Sequence, residues 1–185
     1  MTGKRVELPL TEKKIQDLKC GDQLLLSGFL FTARDAAHER LAANLQQKKE
    51  FPVELRGQVI YYAGPTPAPP GRAIGSAGPT TSQRMDSMTL PLLEYGVKGF
   101  IGKGSRSEEV KKALTQYKAV YMAAAGGAGA LLSQRIISAE IAAYEDLGPE
   151  AIYKLEVQEF PVIVINDIYG NDLYEEGQKT YRIQI

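Results

Sequence analysis

The chain has 185 residues, enough to bury a full core, and residues 1–185 are read as a single domain. Its 22 Lys and Arg balance its 22 Asp and Glu, so no bulk charge draws it to nucleic acid or to an acidic membrane surface, and any anion site must be local. Cys20 is the only cysteine and His38 the only histidine, which excludes internal disulfides and leaves too few soft ligands for a zinc or iron–sulfur site within the chain, so no metal-ligating residue is assigned.

In chain order, residues 5–10 alternate apolar and polar like a strand, Thr11 caps a helix to about residue 18, and 23–32 reads as a largely buried strand. A helix over 33–46 follows, with Arg34 in its first turn, His38 on the same face one turn on, and Ala37, Leu41 and Leu45 packing inward. Residues 58–63 form another strand. The Pro/Gly-rich stretch 64–78 is too short for a disordered linker, and a short strand over 73–77 is expected within it. The next helix begins at Pro79 or Thr81, and Pro91 is expected to shorten or kink it. From there strand and helix alternate. Residues 97–102 and 119–125 are apolar runs, 107–117 has helical spacing, and Gly126-Gly127-Ala128-Gly129 opens a small-residue helix. Residues 160–166 give a last strand, and Tyr169-Gly170-Asn171-Asp172 forms a turn before the final segment. The alternation implies α/β architecture with a parallel sheet. The start MTGKRVELPL has no long apolar region, and no later run nears the ~18 apolar residues of a spanning helix, so the expectation is a cytoplasmic protein.

Four strings carry candidate chemistry. In Gly78-Pro79-Thr80-Thr81-Ser82-Gln83-Arg84-Met85-Asp86, a helix start would offer free backbone N–H groups, and the four-residue spacing would set the Thr80 hydroxyl beside Arg84. Arg84 could then grip a carboxylate through two parallel hydrogen bonds; a capped helix with a surface arginine fits the same residues. Gly102-Lys103-Gly104 lies between a strand and a helix, where ligands of α/β sheets bind, although a flexible loop with a solvated lysine explains it equally. It is not a Walker A loop. The Gly126–Gly129 string lacks dinucleotide-binding spacing and is read as close helix–sheet packing. In Thr32-Ala33-Arg34-Asp35-Ala36-Ala37-His38, Arg34 is either a ligand-binding cation or a surface partner of Asp35 or Glu39, and a lone His38 is more often structural than catalytic.

The strings around Arg34, Thr80 to Asp86 and Lys103, with Phe160-Pro161-Val162-Ile163-Val164 and Gly170-Asn171-Asp172-Leu173-Tyr174, occur in one order across residues 21–174. Together they resemble the β subunit, or C-terminal domain, of class I iron–sulfur-dependent fumarases, a superfamily that includes L-tartrate dehydratase β subunits. Arg84-Met85-Asp86 and the Ala-Ala-His ending at His38 look more like the fumarase side. The resemblance implies a swivelling β/β/α three-layer domain, with a parallel central sheet and a smaller antiparallel sheet. It would close over a [4Fe-4S] cluster held by three cysteines of a separate α subunit in a hetero-oligomer. It further implies a hydro-lyase acting on a dicarboxylate, interconverting fumarate and (S)-malate. Arg34, Arg84 and Lys103 would bind the substrate, Thr80 would be the base, and His38, Asp35 and Thr81 would stand behind them. L-Tartrate dehydration and a noncatalytic carboxylate-binding module are the alternatives.

Overall fold

A computed structural model describes residues 3–183. The chain opens with strand β1 (Lys4–Glu7) and helix α1 (Glu12–Gln16), and Thr11 caps that helix as its sequence predicts, accepting a hydrogen bond from the Lys14 N–H at 3.3 Å. Next come β2 (Gln23–Thr32), α2 (Asp35–Gln46) and β3 (Val59–Tyr61). A 3-10 turn over Ser82–Met85 leads into α3 (Asp86–Tyr95), followed by β4 (Gly99–Gly102), α4 (Glu108–Gln116), β5 (Val120–Ala123) and the short α5 (Gly129–Ser133). The remainder is β6 (Ile136–Ala143), a 3-10 segment over Glu145–Glu150, β7 (Ile152–Asn166) and α6 (Leu173–Tyr181). Among the described residues no helix is long and apolar enough to cross a membrane.

Several expectations differ from this. Arg34 is the N-cap of α2, with extended backbone, and not a first-turn residue. Residues 73–77 form no strand; their loop is closed instead by Ser76 and Gly75 N–H groups bonding to Thr66 Oγ1 and Thr66 O. Pro91 lies inside the ten-residue α3, where the carbonyl its missing N–H leaves unpaired belongs to solvent-exposed Ser87. The helix ends four residues later at Tyr95 and is capped by Gly96, which has φ 115° and whose N–H reaches back to Leu92 and Leu93. Residues 134–159, to which the sequence reading assigns no element, contain β6 and half of β7.

The seven strands form one sheet in the order β1-β2-β3-β4-β5-β7-β6. β1 to β5 are mutually parallel, and β7 is antiparallel to its three neighbours. The expected antiparallel sheet is therefore joined to the parallel one by hydrogen bonds. The cause is the 15-residue length of β7: one edge pairs with β2, while the other is shared between β6 near Ile152 and β5 near Asn166. Pairing thus runs in a closed circuit through β2, β3, β4, β5 and β7.

Alternation along the parallel strands feeds two cores on opposite faces. Val59, Tyr61, Ile101, Val120 and Met122 point into one, which meets Leu155, Val157, Phe160 and Val162 of β7. Ile60, Phe100 and Tyr121 point into the other, which is covered by Ala37 and Leu41 of α2, Leu92 and Leu93 of α3, and Val110 and Leu114 of α4. This arrangement leaves the C-terminal ends of β3, β4 and β5 side by side, where their following loops gather.

The β2–β7 ladder shifts register between Leu26 and Gly28. Gly28 has φ 111°, and a Cβ there would stand 3.1 Å from the Leu8 carbonyl oxygen. Gly28→Ala combines a backbone conformation closed to L-residues with that contact, and should lower stability by about 1–3 kcal/mol. Urea unfolding checks this; an unchanged midpoint would mean that the bulge tolerates a side chain.

Candidate functional site

After β3 the chain makes its proline-rich excursion and returns as an extra short strand wedged against the ends of β3 and β4. The Thr80 N–H bonds to Tyr62 O at 2.6 Å, the Lys103 N–H to Thr80 O at 3.2 Å, and the Ser82 N–H to Lys103 O at 2.9 Å. Thr81 and Lys103 form a parallel bridge. Thr80 and Thr81 are therefore extended, and the helical turn starts only at Ser82, with Thr81 at its cap and no side-chain capping bond. The expected i,i+4 helical alignment of Thr80 with Arg84 is replaced by a strand-to-3-10 corner, because the sheet edge offers Thr80 backbone partners that a helix start would forgo.

Two glycines permit this packing. A Cβ at Gly102 would lie 2.0 Å from Ser82 Oγ, so the returning segment can sit against β4 only because residue 102 has no side chain. A Cβ at Gly129 would lie 2.5 Å from Ser76 Oγ and 2.9 Å from Gly78 N. The Gly126–Gly129 string packs on the 76–78 loop, with the Ala77 N–H bonding to Gly129 O at 3.1 Å, rather than on the sheet as predicted.

Arg34, Thr80, Thr81, Arg84 and Lys103 converge on one shallow cavity of about 430 Å³, completed by Ser76, Gly78, Pro79, Gly127 and Gly129. Asp35 sits between the two arginines: its Oδ2 accepts from Arg34 Nε at 3.1 Å, and its Oδ1 lies 2.9 Å from Arg84 Nε. Arg34 Nε is also 3.3 Å from Glu150 Oε1, whose other oxygen caps α2 by accepting from the Ala36 N–H at 2.8 Å. Burial alone would raise the Asp35 carboxyl. The hydrogen bonds from Arg34 and from its own backbone N–H, with the charges of Arg84 and Arg34, outweigh it and hold the group below the usual carboxylate range. Both guanidiniums are held side-on through Nε, and their Nη groups make no hydrogen bond to another described residue. Planar guanidinium N–H pairs without a protein partner suit a carboxylate. Arg34 is a quarter exposed and Arg84 about half exposed, at 25% and 54% of their side-chain surface.

His38 does not reach the cavity. It is fully buried beneath Arg34, its Nδ1–H donates to Arg34 O at 3.2 Å, and its ring edge packs on Tyr62 at 5.2 Å. With Nδ1 protonated, the neutral ring has an unprotonated Nε2, which has no partner. Burial, aided by the Arg106 charge, drives its pKa down to about 4 against the lifting effect of the Arg34 carbonyl.

Beneath the cavity lies a buried ion pair that the sequence reading did not single out. Arg106 is fully buried; its Nε donates to Asp86 Oδ1 at 2.7 Å, Nη1 to Tyr62 OH at 3.0 Å and Nη2 to Thr89 Oγ1 at 2.7 Å. The second Asp86 oxygen accepts the Ser107 N–H at 2.7 Å. The pair ties Asp86 at the start of α3, two residues beyond Arg84, to Arg106 just before α4, three beyond Lys103. Removing one partner of such a pair typically costs about 3–5 kcal/mol. Glu150 was also missed, since it lies in the stretch to which no element was assigned, and Arg106 has no pattern separating it from an ordinary loop arginine.

These residues do not fit an iron–sulfur cluster. Among the described residues no group of three His, Cys, Asp or Glu side chains could hold a metal. Cys20 is bonded to Ile165 O, and burial, with the nearby Glu176, Asp167 and Asp172 carboxylates, pushes its thiol up to about 12.

Comparison with known proteins gives the same family from independent directions. The family model for the Fumarase C-terminus matches residues 2–177. The anaerobic class I fumarate hydratase of Escherichia coli K12 is 39% identical over 156 residues, covering 83% of this chain and 28% of that protein. Fumarate hydratase 1, mitochondrial, of Leishmania major is 38% identical over the same length, with the same shares. A "Putative L(+)-tartrate dehydratase subunit beta" of Methanocaldococcus jannaschii is 37% identical over 176 residues, covering 92% of this chain and 90% of that one. The chain thus spans about a third or less of the fumarate hydratases it matches and nearly all of the subunit.

The state of His38 predicts an acid sensitivity. The unfolded chain takes up a proton near pH 6.5 and the folded chain only near 4, so stability is intact above 6.5 and falls as pH drops through that window. The loss from this residue should be on the order of 2–3 kcal/mol by pH 4. Urea unfolding at pH 7 and pH 5 should show a smaller difference for His38→Gln than for the parent; equal differences would mean that His38 titrates normally.

Proposed function

The chain belongs to the Fumarase C-terminus family, and from that membership we propose that it is the β subunit of a class I fumarate hydratase, reversibly hydrating fumarate to (S)-malate with a cluster-bearing α subunit. The observation that carries this reading is the convergence of Arg34, Arg84, Lys103 and Thr80 on one open cavity. A [4Fe-4S] cluster, if it serves this reaction, is held by three cysteines of the α subunit, and the β domain swivels to close over it.

Within this domain, Arg84 and Arg34 take the substrate carboxylates through their Nη groups, while Asp35 and Glu150 hold the guanidiniums in place. Thr80 Oγ1 is the proton acceptor at the carbon next to a carboxylate. An aliphatic hydroxyl is a poor base in water; the nearby Lys103 and Arg84 charges favour its alkoxide once the cavity is closed and water excluded, and a carboxylate of the α subunit takes the hydroxyl's own proton. Thr81 flanks it, and His38 supports the Arg34 backbone without touching substrate.

L-Tartrate dehydration by the same residues is the second reading, favoured by the relative that matches this chain almost end to end. Steady-state rates with malate and L-tartrate on the assembled enzyme separate the two: the substrate with the higher kcat/KM identifies the enzyme.

Two outcomes are expected. The chain alone should be inactive, and addition of its cognate α subunit with iron and sulfide should generate hydro-lyase activity; full activity of the isolated chain in the presence of a chelator would refute the reading. In the assembled enzyme Arg84→Ala should lose roughly 2 to 5 kcal/mol of transition-state stabilisation, measured as kcat/KM. An unchanged kcat/KM would instead favour a noncatalytic carboxylate-binding module.

A further inference from the structure

Tyr121 of β5 is fully buried and lies on the helix-covered face of the sheet, yet its hydroxyl reaches the site's backbone. It donates to Gly104 O at 2.7 Å and accepts from Ser82 Oγ at 2.9 Å. Since a carbonyl only accepts, the Tyr121 proton is committed to Gly104, and the serine proton completes the pair. These contacts fall at two telling places: Ser82 is midway between Thr80 and Arg84, and Gly104 directly follows Lys103. The backbone bonds joining those segments, Lys103 N–H to Thr80 O and Ser82 N–H to Lys103 O, lie beside the hydroxyl's two contacts. Gly104 has φ 79°, a conformation that ends regular pairing after Lys103 and leaves the loop in need of another anchor. The ring is rigidly packed, with the buried Arg106 guanidinium 5.1 Å from its centroid.

We propose that Tyr121 is a positioning residue for the reaction: through Ser82 and Gly104, its hydroxyl fixes the Thr80 segment and the Lys103 loop in mutual register, so that proton acceptor and cation meet the substrate in one geometry. This deepens the hydro-lyase reading and rests on it for its kinetic consequence, though not for its structural one. Arg34 and Arg84, the cations that take the substrate carboxylates, are held separately by Asp35 and Glu150, so most of the substrate affinity is kept when the hydroxyl is lost. Loss of the hydroxyl therefore acts on turnover, and displacements of about 1 Å at reacting groups cost on the order of a hundredfold.

The test uses Tyr121→Phe, which keeps the ring, and Ser82→Ala, which removes one contact and guards against a folding failure in the first variant. In the full chain, amide hydrogen exchange followed by NMR should accelerate at least tenfold at Lys103 and Ser82 in Tyr121→Phe, and less in Ser82→Ala, with the Ile60 and Val164 amides unchanged. In the enzyme assembled with its α subunit, kcat should fall ten- to a hundredfold while KM stays within about twofold. Unaltered exchange at Lys103 and Ser82 would overturn the proposal. So would exchange raised uniformly across the sheet with kcat per folded enzyme intact, the pattern of a tyrosine that only stabilises the core. If the assembled parent enzyme shows no hydro-lyase activity, the functional reading fails by itself, and the exchange measurement alone decides the role of Tyr121.

Discussion

Everything in this molecule hangs on the long antiparallel pairing of β7 with β2. Without it, the parallel strands would be an open sheet with one face covered by α2, α3 and α4 and the other bare. β7 returns across that bare face, supplies Leu155, Val157, Phe160 and Val162 to the second core, and closes the circuit of pairing by meeting β5 at its far end. A sheet fixed on both faces holds the ends of β3, β4 and β5 in constant relation. The site consists of loops leaving those ends, so its geometry inherits the stiffness of the circuit.

The site is stiffened further at each level. Backbone bonds splice the Thr80 segment into the sheet edge, and two glycines allow the approach. Below that lies a polar floor in which Arg106, Asp86, Thr89 and Tyr62 satisfy one another out of water. Buried polar groups so fully paired favour one arrangement strongly, since any shift leaves a charge desolvated and unpartnered. By contrast, the groups facing the cavity are anchored at one end only: Arg34 and Arg84 by Nε, and Lys103 by its backbone. Rigid roots with free tips are what a binding site for a small anion needs.

The parallel half of the fold was legible because its strands are apolar runs separated by helices with clear period and caps, as at Thr11 and Ser107. The antiparallel half was not. β6 reads Ile-Ile-Ser-Ala-Glu-Ile-Ala-Ala, rich in helix-favouring residues and with most side chains outside the core, so its strand state is imposed by pairing with β7. Residues 153–157 do alternate in sequence, a signal that was present but unread. The candidate residues were legible as a set because they recur in a family order, whereas their geometry was not: the sequence offered a helix start for Thr80 and Arg84, and the sheet edge claimed Thr80 first. Arg106, Glu150 and Tyr121 could not be picked out, because what distinguishes each is a partner more than ten residues away.

The carboxylates holding the arginines have one last consequence, for electroneutrality. Arg34, Arg84 and Lys103 bring three cations to the cavity, and Asp35 and Glu150 return two anions, leaving a single surplus positive charge. A doubly negative guest would overdraw that surplus by one, so the domain on its own should hold such a guest weakly. Under the proposed function the missing counter-charge arrives from across the cavity mouth, which would make tight capture of a diacid a property of the assembled enzyme rather than of this domain.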